Sequence, residues 1–221
     1  MDNNLKAAYR KHLEKAAKAL EKNNMQAFVA DTSEEACEIV RSLLKDGEQI
    51  SCGGSVTLSE TGVMDIMKSG KYDFLDRSKA TTPEETGEIY RKVFFCDTYL
   101  SSSNAITENG ELYNVDGNCN RVAAITFGPR RVIIIAGRNK VVRDINAAID
   151  YVKRVSAPAN TVRLGLDTPC ASTGECAGIN TGNMCSGCKN DRRICCGYVV
   201  TGFQRDKDRI KVILVNEELG Y

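Results

Sequence analysis

Six of the ten cysteines in this 221-residue chain fall in one short stretch, Cys170, Cys176, Cys185, Cys188, Cys195 and Cys196, while Cys37, Cys52, Cys96 and Cys119 are scattered. Met1 to Lys22 carries charges throughout, with neither a signal-peptide core nor a transit pattern. No stretch reaches the ~18–20 uncharged apolar residues that cross a bilayer; the longest apolar run is Val132 to Gly137. A cytoplasmic location is therefore expected, and there thiols stay reduced, so the cluster points to metal or redox chemistry rather than to disulfides. A Cys-x2-Cys turn, here Cys185 to Cys188, sets two thiolates on one side of a loop, and a second pair completes the tetrahedral set that zinc or an iron–sulfur cluster needs. The candidate ligands are Cys170, Cys176, Cys185, Cys188 and Cys195; adjacent Cys195 and Cys196 are not expected to face one metal equally. Residues 167–197 are otherwise rich in Gly, Asn and Thr and nearly empty of large apolar side chains, so ligation would supply folding energy that no ordinary core provides. The competing reading is buried or redox-active thiols without metal.

A second group of candidates sits in polar loops that follow expected strands. In Gly53-Gly54-Ser55 the glycines let the backbone approach an anion ahead of a helix N-terminus, which suits a phosphate or carboxylate, although a tight turn alone would also use glycine. Asn104 to Gly110 is a further such loop. The run Asn114-Val115-Asp116-Gly117-Asn118-Cys119-Asn120-Arg121 crowds hydrogen-bonding groups before an apolar helix. There Arg121 could pair bidentately with a carboxylate or phosphate, and Asp116 could orient it or accept a proton. A turn with a helix cap is the plainer account. The single histidine, His12, lies among charges in an N-terminal helix and is expected at the surface, which leaves no Ser-His or Cys-His nucleophile pair unless that arm folds over the cleft.

These loops need elements to hold them. Leu5 to Lys22 has the spacing of an amphipathic helix. Strands are expected at Met25–Ala30, Gln49–Cys52, Tyr72–Leu75 and Val132–Ala136, with helices from Asp31 to about Leu44, Leu58 to Lys68, Thr82 to about Phe95 and Asp144 to Val155. Glu108-Asn109-Gly110 should turn a hairpin between Thr98–Ser102 and Glu111–Val115. Tyr198–Thr201 and Ile210–Val215 should close the sheet. Alternation of this kind predicts an α/β fold, a mostly parallel sheet flanked by helices, with a local antiparallel hairpin and a Cys-rich C-terminal segment. The expected organisation is an N-terminal helical arm over 1–24, an α/β domain over 25–166, the Cys-rich segment over 167–197 and closing strands over 198–221. With 30 basic against 29 acidic residues, no charge field draws the chain to nucleic acid or to a membrane surface.

Cys52-Gly53-Gly54-Ser55-Val56-Thr57-Leu58, Ser103 to Leu112 and Asp116 to Ala124 resemble the LUD-domain (lactate-utilisation) family, over roughly residues 5 to 200. Cys119 departs from the pattern, standing where relatives usually have glycine, and could tighten the loop or place a thiol in the cleft. The resemblance implies a fold similar to the NagB/RpiA/CoA-transferase-like superfamily. It also implies a role as an accessory or electron-transfer component of an L-lactate oxidation system, beside iron–sulfur or oxidoreductase partner proteins, and self-association into a homo-oligomer. That context tilts the metal towards an iron–sulfur cluster rather than zinc. Thr107-Glu108-Asn109-Gly110 is similar to the motif that carries the glutamate nucleophile of CoA transferases. By that analogy Glu108 would attack or accept a proton, Gly53 and Gly54 would supply anion-binding amides, and Ser55, Asn104, Asn118, Asn120 and Arg121 would bind an anionic small molecule. A non-catalytic sensor using the same cleft is the third reading. Thr168-Pro169-Cys170, Cys188 and Arg193-Ile194-Cys195 match the family's tail in order. Ala177 to Gly187 is longer than in relatives, which leaves open whether Cys176 or Cys185 joins Cys170, Cys188 and Cys195.

Overall fold

The computed structural model describes residues 2–221. In chain order its elements are α1 (Asn3–Lys22), β1 (Gln26–Ala30), α2 (Ser33–Leu43), β2 (Gln49–Cys52), α3 (Val56–Glu60), α4 (Val63–Met67), β3 (Asp73–Leu75), α5 (Pro83–Lys92), β4 (Thr98–Ser101) and β5 (Ala105–Thr107). They continue with β6 (Leu112–Asp116), α6 (Asn120–Thr126), β7 (Arg131–Gly137), β8 (Val141–Val142), α7 (Ile145–Tyr151), α8 (Ala157–Arg163), α9 (Pro169–Thr173), β9 (Gly197–Thr201) and β10 (Ile210–Val215).

Side chains alternate between the two faces of a strand, and both faces of the central strands are apolar here, so both must be covered. Val132, Ile134 and Ala136 of β7, with Ile210, Val212 and Leu214 of β10, meet Leu13, Ala16, Ala17 and Leu20 of α1. Ile133 and Ile135, with Ile213 and Val215, meet α2 and α4 on the opposite face. The resulting sheet has the order β1-β10-β7-β4-β2-β3 and is parallel throughout. A smaller mixed sheet, β8-β5-β6-β9, packs its own apolar group, including Tyr113 and Val115, against α7 and the start of α8. This is the α/β architecture the sequence predicts, a parallel sheet with helical covers and an antiparallel hairpin.

Four local expectations change. The hairpin forms between β5 and β6, whereas β4 (the expected partner) lies in the parallel sheet; Ser102-Ser103-Asn104 carries the chain from one sheet to the other. Only β10 joins the main sheet, between β1 and β7, and β9 pairs with β6 instead. The helix expected over Leu58–Lys68 is two helices, parted where Gly62 adopts a left-handed conformation with φ of 79°, which glycine tolerates without steric cost. α7 runs through a π-type turn at Val152–Ser156 directly into α8, farther than the sequence pattern indicated. Among the described residues no helix is long and apolar enough to cross a membrane.

Candidate functional site

Parallel strands end together, and their carboxyl-end loops form the natural ligand crevice of such a sheet. Here the loops after β2, β4 and β7, with the C-terminal residue Tyr221, the turn between β6 and α6, and the π-turn, surround a cleft of about 520 Å³. That volume is in the usual range of small-molecule sites. Gly53, Gly54, Ser55, Asn104, Asp116, Asn118, Asn120 and Arg121 all line it, so the three polar loops singled out in the sequence converge on one space. A side chain at Gly54 would collide with the Arg77 guanidinium, so the bare backbone lets Arg77 close that edge.

Arg121 is not the free fork the sequence suggested. Its guanidinium donates to the Asn114 side-chain oxygen at 2.6 Å and the Ser102 carbonyl at 3.2 Å, and to the Asn104 side chain at 2.8 Å and the Val115 carbonyl at 2.7 Å. Asp116 accepts the backbone N–H groups of Arg121 and Val122 at 2.9 and 3.1 Å. The pair therefore braces the β6–α6 turn against the crossover between sheets, and the terminal nitrogens of Arg121 are already engaged. Cys119 takes a left-handed backbone with φ of 60°, a conformation glycine would hold more easily, and its sulfur packs against Gly197 instead of lining the cleft.

Glu108 lies apart from these residues. It is in the β5–β6 turn, ion-paired with Lys15 of α1 and 3.8 Å from His12, and does not line the cleft. His12 is exposed, as its neighbours in the sequence implied.

Lys140 carried no sequence signal. It ends the turn after β7, is only 3% exposed and lines the cleft floor. Its ammonium donates to the Thr57 and Ser102 hydroxyls at 2.9 and 3.1 Å. Burial, reinforced by the nearby positive charge of Arg121, pulls its pKa down to about 7.

The cysteine segment forms a second, much smaller space of about 20 Å³, lined by Cys170, Cys176, Cys188 and Cys195 together with Ala157, Thr161 and Ile194. Cys185 and Cys196 are exposed and do not line it. Among the described residues no three metal-ligating side chains stand close enough together, as placed, to hold an ion. Two cations organise the loop. Arg193 donates to the carbonyls of Cys185, Cys188 and Cys195 at 2.9, 2.8 and 2.7 Å, and Lys153, 6% exposed, donates to those of Gly178 and Asn183 at 2.9 and 2.7 Å. The hydroxyls of Thr161 and Thr168 lie 3.5 and 3.4 Å from the Cys170 sulfur, and the Gly178 N–H donates to the Cys176 sulfur at 3.4 Å. Burial foremost, then the neighbouring thiols, push the Cys195 thiol up to about 12. Ile194 and Cys195 line both spaces, so this loop is one wall of the large cleft.

A family model for the LUD domain matches residues 13–215. Among solved structures, a DUF162 family protein from Deinococcus radiodurans superposes with a TM-score of 0.51 at 14% identity, covering 94% of this chain and 98% of that one, a likeness of fold alone. Ribose 5-phosphate isomerase A from Neisseria gonorrhoeae gives a TM-score of 0.33 at 14% identity over 60% of this chain and 61% of its own, too distant to bear on the site. No curated protein matches the chain.

Proposed function

This chain belongs to the LUD-domain family, and from that premise we propose that it is an accessory component of a lactate-oxidising system whose tail holds a metal on Cys170, Cys176, Cys188 and Cys195. Family membership supports a lactate-utilisation type of protein. One observation carries the metal reading: four cysteines from separate points in a loop-rich segment border the same small cavity, and the two that do not, Cys185 and Cys196, face outward. The donor set fits the group. Four thiolates are a complete tetrahedral shell for zinc and equally the ligand set of an iron–sulfur cluster, and the Thr161, Thr168 and Gly178 contacts to sulfur are of the outer-shell kind that orients ligands.

A space of about 20 Å³ is close to that of one water-sized sphere, so a single ion suits the walls with the sulfurs closing on it. A cluster requires the walls to part further. Zinc would clip the tail in place; a cluster would add the ability to pass electrons to an oxidoreductase partner. Metal and acid-labile sulfide analysis of protein purified without oxygen tests the reading. About one zinc per chain, reduced at least fivefold by Cys188→Ser and retained in Cys185→Ser, is the expected result, and iron with sulfide would support the electron-transfer form. Protein lacking any bound metal, from cells supplied with both, would overturn it.

A further inference from the structure

Lys140 is a deeply buried cation of the cleft, 3% exposed, with no carboxylate paired to it among the described residues. The Thr57 hydroxyl, which accepts from the lysine, itself donates to the Leu219 carbonyl at 3.2 Å, and the Ser102 hydroxyl donates to the Ser103 carbonyl at 3.3 Å. Each hydroxyl proton is thus directed elsewhere, so both oxygens must accept from Nζ. Two of its bonding directions are fixed, and the remaining one has no partner among the described residues. No carboxylate forms an ion pair with it either. The charged groups facing it are Arg121 from α6, committed to four protein oxygens, and Glu60 from α3, which accepts the Gly220 N–H at 2.6 Å. Two other polar groups of cleft-lining residues are buried without a partner among the described residues: the hydroxyl of Ser156, whose residue is 2% exposed, and the phenol of Tyr221. Buried polar atoms are ordinarily satisfied, and an unsatisfied set around one cavity marks a place suited to a polar ligand.

We propose that Lys140 is the seat of an anionic oxygen group, the carboxylate or phosphate of a small organic molecule, on the cleft floor, with the Ser156 and Tyr221 hydroxyls turned to the same molecule. This site is independent of the cysteine metal. Thr57 and Ser102 hold the amine in position, so its third valence is preorganised for the ligand. Because burial and Arg121 leave the free amine largely neutral above pH 7, and the bound anion needs the ammonium, binding draws in a proton. Affinity then falls about tenfold for each pH unit above 7, until the pKa in the complex is reached.

Isothermal titration calorimetry of the full chain at pH 8, in two buffers of different ionisation enthalpy, reads both quantities. L-lactate and pyruvate serve as carboxylate probes, inorganic phosphate and glucose 6-phosphate as phosphate probes. The expected result is binding of one class with uptake of nearly one proton, and a loss of at least thirtyfold in Lys140→Met, whose unbranched apolar side chain preserves the packing. Which class binds separates carboxylate from phosphate. Binding without proton uptake in the wild-type chain would overturn the proposal whether or not the variant folds. So would equal affinity in a folded Lys140→Met, or no binding of any probe at 10 mM, a ceiling of roughly −2.7 kcal/mol.

Discussion

The floor of the cleft and the cysteine loop both bury a lysine on two neutral oxygens, yet in contrasting surroundings. Lys140 sits near the ends of the largely buried strands β7 and β4, held by two hydroxyls and, among the described residues, by no carboxylate. Lys153 sits under the loop, bound to two carbonyls of the segment it organises. Around Lys140 the rigidity comes from apolar packing on both faces of a parallel sheet, which can tolerate an uncompensated charge at its edge. In residues 167–197 there is almost no apolar packing, and the chain is shaped by polar contacts and by the thiols themselves. A region with a core of its own can hold an uncompensated buried charge; a region without one is held by its polar contacts, and on the metal reading by the ion it binds.

The sharpest way to break this contrast is to weaken the sheet itself. Ile134→Ala, at a fully buried position of β7, should cost about 3–4 kcal/mol in global unfolding. Denaturant melts should show it as a lower midpoint with an unchanged slope. A cost below ~1 kcal/mol would mean the sheet is not the rigid partner in the comparison.

Lys140→Met should act in the reverse direction. In the fold the lysine binds its proton less tightly than in the unfolded chain, its pKa lowered from 10.5 to about 7. Between those values the unfolded state holds more protons, so wild-type stability rises with pH across that window. The variant should be more stable than wild type by roughly 3 kcal/mol near pH 6–7, and the advantage should shrink towards zero by about pH 10.5. Paired urea melts at pH 6.5 and 9.5 read the trend; a difference that grows with pH contradicts the account.

How much of this was readable in the sequence follows the same division. Apolar runs such as Val132 to Gly137, and caps such as Thr32 and Thr82 with Pro83, announce their elements through local physics, and the two threonine hydroxyls do accept the Glu35 and Glu85 N–H groups as the pattern implies. The convergence of Gly53 and Asn104 was legible because parallel strands gather their ends, whereas Asp116 arrives through β6 of the smaller sheet. Lys140 was not, since a lysine in the run Arg138-Asn139-Lys140 has the look of solvent-facing charge, and only the return of β10 to the sheet, bringing Leu219 to Tyr221 over the β7 turn, buries it. Pairing of β6 with β9 was equally hidden, because it joins residues some eighty positions apart. Density and spacing flagged the cysteines, but which four border the small cavity depends on how Arg193 and Lys153 fold the loop, a tertiary matter.

A smaller test concerns the junction between the two regions. Cys119 holds a left-handed backbone beside Gly197, where the loop rejoins the sheet. Cys119→Gly relieves strain of about 1 kcal/mol at that residue and gives part of it back in chain entropy. The expected outcome is a melting temperature equal to wild type or up to a few degrees higher, with the cleft's affinity unchanged. A marked drop in either would mean that the contact of the Cys119 sulfur with Gly197 outweighs the backbone strain.

Hydrogen exchange followed by mass spectrometry, on metal-loaded protein before and after a strong chelator, tests the central contrast most directly. The account predicts that metal removal accelerates exchange at least tenfold across residues 168–197 and leaves the amides of β7 and β10 protected as before. Unchanged protection throughout the cysteine loop, or loss of protection in sheet and loop together, would contradict it.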